Sequence, residues 1–176
     1  MKLNKIMLAA VVAFGTISVA HAASNQGSGK VSFEGSIIDA PCSISPESTD
    51  QSVFLGQVAN AALKNGGTSI PKAFEIALEN CEIEKGKENV SVTFSGVEST
   101  VQPGKLALNG TAKGASIAIT DGSGKLLKLG EASPASEVVE GNTNLRFTAY
   151  LQGDGASTAI VPGDFTSVAN FTMAYQ

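Results

Sequence analysis

The chain has little of the chemistry that enzymes use. Among its 176 residues are one histidine, no tryptophan, two cysteines and three methionines. The histidine and two of the methionines fall within residues 1–22, which read as an export signal. Lys2 and Lys5 precede an apolar run over residues 6–20 and the small-residue site Ala20-His21-Ala22. That run is shorter than the roughly 20 residues a membrane-spanning helix needs, which disfavours an anchor. Cleavage after Ala22 leaves 154 residues, one domain of ordinary size, with no histidine.

Without histidine, the usual base for activating a serine or cysteine is missing, and zinc and copper lose their commonest ligand. The turn Asp121-Gly122-Ser123-Gly124 offers one carboxylate where calcium needs several oxygens. No glycine-rich phosphate loop of strand-to-helix type is present. A carboxylate pair such as Asp154 and Asp164 is the remaining route to catalysis, but acidic residues at turns are ordinarily solvated. No catalytic residue, metal or cofactor is therefore expected. The Asn-x-Ser/Thr matches, as at Asn89, are too short to carry weight. Ten basic against sixteen acidic residues after cleavage give a formal charge of −6, which argues against nucleic acid or an anionic membrane as partner.

What the chain does have is glycine, 19 in all, and alternation. Residues 23–29 (ASNQGSG) are too polar to pack a core and read as a free arm. From residue 30 the pattern alternates, with Gly29, Val31, Phe33 and Gly35 on one side and Lys30, Ser32, Glu34 and Ser36 on the other. Strand-like runs follow over residues 37–44, 52–58, 73–81, 90–97, 116–120, 125–129, 145–151 and 165–175, separated by glycine-rich turns. Phe74, Ile76 and Leu78 face inward, as do Val90, Val92 and Phe94, and Leu145, Phe147, Ala149 and Leu151. Residues 58–63 allow one or two helical turns, cut off at Asn65-Gly66-Gly67. With no long helix, no repeat and no heptad seam, an all-β sandwich is the natural architecture.

In an exported chain, Cys42 and Cys81 read by default as one disulfide, with two free thiols as the alternative. Closing a loop of about 40 residues removes roughly 4 kcal/mol of unfolded-state freedom in the chain-entropy model. At the other end, residues 168–176 place Ala169, Phe171, Met173 and Tyr175 on one face and Val168, Asn170, Thr172 and Ala174 on the other. This alternation runs to the last residue, so the strand is expected to find its second neighbour outside the chain. Periodicity alone leaves open an ordinary central strand packed on its own domain.

Taken together, the alternating arm, Cys42-Ser43-Ile44, Asn80-Cys81 and a strand closing on Tyr175 resemble the chaperone-usher pilins. The segment GSGKVSFEGSIIDAPCSIS (residues 27–45), with Asp50-Gln51-Ser52 and Leu55-Gly56-Gln57, is most similar to the major pilins of P-type fimbriae. The resemblance implies an incomplete immunoglobulin-like β-sandwich lacking its last strand over residues 36–176, preceded by a donor-strand arm over residues 23–35. Gly29, Val31 and Phe33 would be the donor residues. Tyr175 and Gly163 occupy the family's penultimate tyrosine and its glycine fourteen positions from the end. The resemblance further implies that a periplasmic chaperone lends a strand beside Ala169, Phe171, Met173 and Tyr175 and holds the carboxylate of Gln176 with basic side chains. At an outer-membrane usher, the next subunit's arm would replace it. The expected function is that of a major structural subunit of a cell-surface fimbria, a homopolymer supporting adhesion. Alternatives are a minor or adaptor pilin, or a self-contained secreted carbohydrate-binding sandwich. For the latter, Tyr150 and Tyr175 without tryptophan make a poor sugar platform.

Overall fold

The computed structural model describes residues 27–176, so the expected export signal, residues 1–22, and residues 23–26 of the expected arm lie outside it. Two units are distinguished, one ending at Ile37 and the other spanning Ile38–Gln176. In the first, residues 27–37 carry no helix or strand, and Val31 and Phe33 stand 74% and 91% exposed. Alternation there writes two faces without supplying a ladder partner.

The second unit is built almost wholly of strands. In chain order they are β1 (Ser43–Ile44), β2 (Lys72–Cys81), β3 (Asn89–Gly96), β4 (Leu106–Ala107), β5 (Asn109–Gly110), β6 (Ala115–Asp121), β7 (Leu126–Leu127), β8 (Ser136–Glu137), β9 (Gly141–Gly153), β10 (Phe165–Thr166) and β11 (Ala169–Tyr175). Single helical turns, α1 (Pro46–Thr49) and α2 (Asn60–Leu63), lie between β1 and β2. One sheet has the order β1-β2-β9-β6-β4 with β7 also beside β6; a second has the order β11-β3-β8; β10 and β5 form a short ribbon.

The inward residues follow from strand period. Ile76 and Leu78 of β2, Leu145 and Leu151 of β9, and Val90 and Val92 of β3 are all buried, each contributing about 1.5–3 kcal/mol by removal from water. Aromatic rings link the two sheets: Phe94 of β3 meets Phe147 of β9 edge-on with centroids 5.1 Å apart, and Phe147 stacks on Phe74 of β2 at 5.5 Å. The β6–β7 hairpin turns on Asp121, whose carboxylate accepts the backbone N–H groups of Ser123 and Lys125, each at 2.9 Å, and the Ser123 hydroxyl at 2.6 Å. The Ser123 hydroxyl chiefly, with those backbone bonds, holds the carboxyl below its usual pKa.

Cys42 and Cys81 are bonded to each other and buried, fastening the residue before β1 to the last residue of β2. Beyond β1 the ladder ends and the chain stays on the β2 edge through separate bonds. Ser45 N–H bonds the Ala77 carbonyl, the Ser48 hydroxyl accepts Ala77 N–H, each at 2.9 Å, and the Gln51 amide reaches the Glu75 carbonyl at 3.1 Å. The strand expected over residues 37–44 therefore shrinks to two residues. The one expected over residues 52–58 keeps its alternation, with Val53 and Leu55 half-buried and Phe54 exposed, but residues 50–58 make no backbone–backbone bond among the described residues. A strand needs a ladder as well as a pattern.

A polar network unmarked in the sequence covers the outer face where β6 and β9 run side by side. The Gln102 amide donates to the Gln152 and Gly153 carbonyls and to Asp154 Oδ1. The same Oδ1 accepts the Ser116 hydroxyl at 2.7 Å, and Lys105 Nζ donates to the side-chain oxygens of Gln102 and Gln152. Burial lowers the Lys105 pKa, with the Asp154 charge opposing. Nearby, an ideal Cβ on Gly153 would fall onto the Leu63 carbonyl, within 2.9 Å of its carbon. Gly153→Ala is expected to cost about 1–3 kcal/mol through this overpacking. The check is a lower urea midpoint at unchanged slope.

Candidate functional site

Among the described residues, β11 is bonded on one side only, to β3, from Ala169↔Gly96 to Tyr175↔Val90. Just beyond, Gln176 and Asn89 exchange both backbone bonds, at 2.8 and 2.9 Å. In an antiparallel ladder, bonded and non-bonded pairs alternate. Counting back from Gln176, the residues of β11 turned toward β3 are Asn170, Thr172 and Ala174. Those turned away, with N–H and C=O on the open edge, are Ala169, Phe171, Met173 and Tyr175. The far side of β3 agrees: the Phe94 and Val92 carbonyls accept from Gly130 and Ser133, away from β11.

The same four residues carry the half-buried side chains, while Asn170, Thr172 and Ala174 are exposed. Beside this edge lies a groove of about 1480 Å³, walled by residues 48–58 on one side and 163–171 on the other. Its floor is core, including Ile76, Phe94, Leu106, Ile117 and Leu151. Pockets for small ligands run to about 300–1,000 Å³. This one is larger, and it is lined both by residues 50–58, which have no backbone–backbone bond among the described residues, and by the start of β11, which is paired on its β3 side. Ala169 and Phe171 line it; Met173 and Tyr175 continue the same face beyond the lined stretch, packed against the core.

Gly163 enters the groove wall ahead of β10, where the chain is clamped to residues 110–114. Thr111 and Ala112 N–H both bond the Asp164 carbonyl, at 2.9 and 3.1 Å, and Asp164 N–H returns a bond to the Thr111 hydroxyl at 3.0 Å. An ideal Cβ on Gly163 would lie 2.7 Å from the Ala112 nitrogen and collide with the Thr111 hydroxyl. Only glycine permits this approach, which fixes how the chain enters β11. The Tyr175 hydroxyl is buried with no hydrogen-bond partner among the described residues, and burial raises its pKa.

Ala169, Phe171, Met173 and Tyr175 thus fall on one strand edge, whereas Gln176, which follows them, is exposed and spends its backbone groups on Asn89. Gly29, Val31 and Phe33 belong to the other unit, where each is exposed. Sequence reading missed the second wall: the alternation of residues 52–58 was visible, its lack of a ladder was not. Among the described residues no three His, Cys, Asp or Glu side chains are grouped to hold a metal, and no helix is long and apolar enough to cross a membrane.

Fold and site define an immunoglobulin-like sandwich with an open strand edge over its core. The Fimbrial protein family matches residues 31–176. The whole chain is similar to the Fimbria A protein of Serratia marcescens, 59% identical over 176 residues with 100% of both chains covered, and to the Major MR/P fimbria protein of Proteus mirabilis (strain HI4320), 50% identical over 177 residues with 100% of both covered. A solved chaperone-usher pilus, described in terms of rod uncoiling, has a subunit 34% identical, with a TM-score of 0.75 over 86% of this chain and 97% of that one. The chain belongs to the fimbrial protein family, whose members build extracellular surface fimbriae.

Gly163→Ala is expected to lower stability by about 1–3 kcal/mol, read as a reduced urea midpoint. For Tyr175, the folded state holds the phenol proton more tightly than the unfolded chain, so its contribution to stability is present below pH 10.0 and lost as pH rises through the raised value. A spectroscopic titration should show phenolate absorbance appearing above that pH, and Tyr175→Phe should remove this phase.

Proposed function

We propose that this chain is the major structural subunit of a chaperone-usher fimbria, polymerising by strand donation. The arm of one copy, residues 23–35, completes the sandwich, residues 36–176, of the next. The observation that carries this reading is the coincidence on β11: the residues that turn apolar side chains inward are the ones that turn unpaired backbone groups outward. An extended segment added to that edge satisfies both at once, gaining main-chain bonds for affinity and side-chain pockets for specificity.

The arm suits this role. Val31 and Phe33 share one face, are exposed, and contribute roughly 1.5–3 kcal/mol each on full burial. Ladder bonds add about 1 kcal/mol apiece, and covering the edge removes a template for aggregation. Gly29, on the same face, leaves room where a side chain would obstruct pairing. Because an uncovered edge is hazardous before assembly, a periplasmic chaperone holds it first, along Ala169, Phe171, Met173, Tyr175 and Gln176, and exchange for the next arm takes place at an outer-membrane usher. The role is structural rather than catalytic. The word "Major" in the name of the Proteus mirabilis relative favours the main shaft over an adaptor.

Gly29→Leu, co-expressed with chaperone and usher, tests the reading. Chaperone-bound monomer is expected to accumulate while polymers on non-denaturing gels fall at least tenfold. Ordinary fibres from that variant would count against it. Deleting residues 23–34 should give the same split.

A further inference from the structure

We propose that successive copies of this chain also meet body to body, a basic shelf at one pole of the sandwich seating the acidic loops at the opposite pole of the next copy, an inference that rests on the strand-donation reading above. The two poles follow from the ladders. One gathers the end of β2, the start of β3 and the last residue: Cys81 pairs with Gly141, Glu137 with Asn89, and Gln176 exchanges backbone bonds with Asn89. The other gathers the start of β6, the end of β9 and the start of β11: Ala115 pairs with Gly153, Asp154 N–H bonds the Gly114 carbonyl at 2.9 Å, and Ala169 pairs with Gly96.

Charge separates the poles. At the first, residues 82–88 and 137–140 carry five glutamates against two lysines, a net charge of −3. All five glutamates are exposed, and among the described residues Glu82 and Glu137 enter no ion pair. At the second, residues 59–67, 113–114 and 155–161 carry Lys64 and Lys113 and no acidic residue. Lys113 is strapped beside the last of these segments by backbone bonds in both directions with Val161, at 3.1 and 2.9 Å. Lys64 borders a hollow of about 330 Å³ that Asn60, Asn65 and Thr158 also line. Both lysines are exposed, and neither forms an ion pair among the described residues. Asp154, which adjoins the shelf in sequence, spends its Oδ1 on the Ser116 hydroxyl and the Gln102 amide.

Strand donation brings opposite poles together. Every strand pairing among the described residues is antiparallel, and an antiparallel arm suits the groove, because bulky Val31 and Phe33 lie toward the arm's root and the groove lies toward the start of β11. The root then ends beside Ala169, at the basic pole of the accepting copy. There the donor's body begins with its acidic pole, since Glu82 N–H bonds the Pro41 carbonyl at 2.9 Å and Lys87 Nζ bridges Asp39 at 3.5 Å. Opposite charges face each other in this order and like charges in the reverse one, so the contact fixes register and polarity more than it adds affinity. The groove holds the neighbour; the shelf sets its angle.

The test treats polymers of the full chain, and chaperone-bound monomers beside them, with a zero-length carbodiimide, which joins a lysine to a carboxylate only when the two touch. Peptide mass spectrometry is expected to find Lys64 or Lys113 joined to Glu82 or Glu137 at least tenfold more often in the polymers than in the monomers. Lys64→Glu/Lys113→Glu polymers are expected to form but to bend more, with their persistence length on micrographs at least halved. Adding Glu82→Lys/Glu137→Lys restores opposite charges with the poles exchanged, and should recover the stiffness. Polymers of the unaltered chain without those cross-linked peptides, or a four-substitution variant as pliable as the lysine pair alone, would overturn the pole contact and leave strand donation standing. An unaltered chain that forms no polymer with its chaperone and usher would overturn the strand-donation reading and this one with it.

Discussion

Everything in this molecule is arranged around one unpaired edge. Along β11, the N–H and C=O groups of Ala169, Phe171, Met173 and Tyr175 face away from β3, while the side chains of Ala169 and Phe171 line a groove floored by the core and those of Met173 and Tyr175 pack against the core beyond it. Backbone polar groups left without partners away from water cost free energy comparable to a lost hydrogen bond, and apolar side chains beside a groove lose the benefit of burial. A water-filled groove meets only the first demand and a small apolar ligand only the second. An extended polypeptide meets both, with the period of two that the edge already has.

Much of the fold serves to keep that edge in place. β3 holds β11 through seven pairs on its other side, and the close approach of Gly163 to Thr111 and Ala112 fixes where the chain enters. The floor depends on β6 and β9 staying in register, and their outer face is tied by the Gln102, Lys105, Gln152 and Asp154 network. One lysine and one aspartate share it with neutral amides between them, and side chains linked in this way favour a single arrangement. The opposite wall is held at its base by the Cys42–Cys81 bond and by the Ser48 hydroxyl on Ala77.

Some of this was legible in the residues and some was not. Phe74, Ile76 and Leu78, then Val90, Val92 and Phe94, announce half-buried strands because a strand with one wet face must alternate, and they lie where the alternation put them. The hairpin at Asp121 was legible because its turn chemistry is local. The two-residue strands β4, β5 and β8 are too short to carry a period. Residues 52–58 had the period and still formed no ladder, because pairing depends on a neighbour that local sequence does not specify. The Gln102–Gln152 bond joins positions 50 residues apart and leaves no mark in the sequence.

By itself, the sequence determined the all-β class, the faces of the long strands, the absence of histidine beyond residue 21 and the apolar face of the final strand, since all of these depend on residue type and on spacing along the chain. Tertiary structure alone decided that β11 has one neighbour among the described residues, that its inward side chains and outward backbone groups belong to the same four residues, and that residues 50–58 line the same groove without a ladder. Those are properties of pairing between distant segments, where hydrogen-bond phase and sheet order are set by the whole fold.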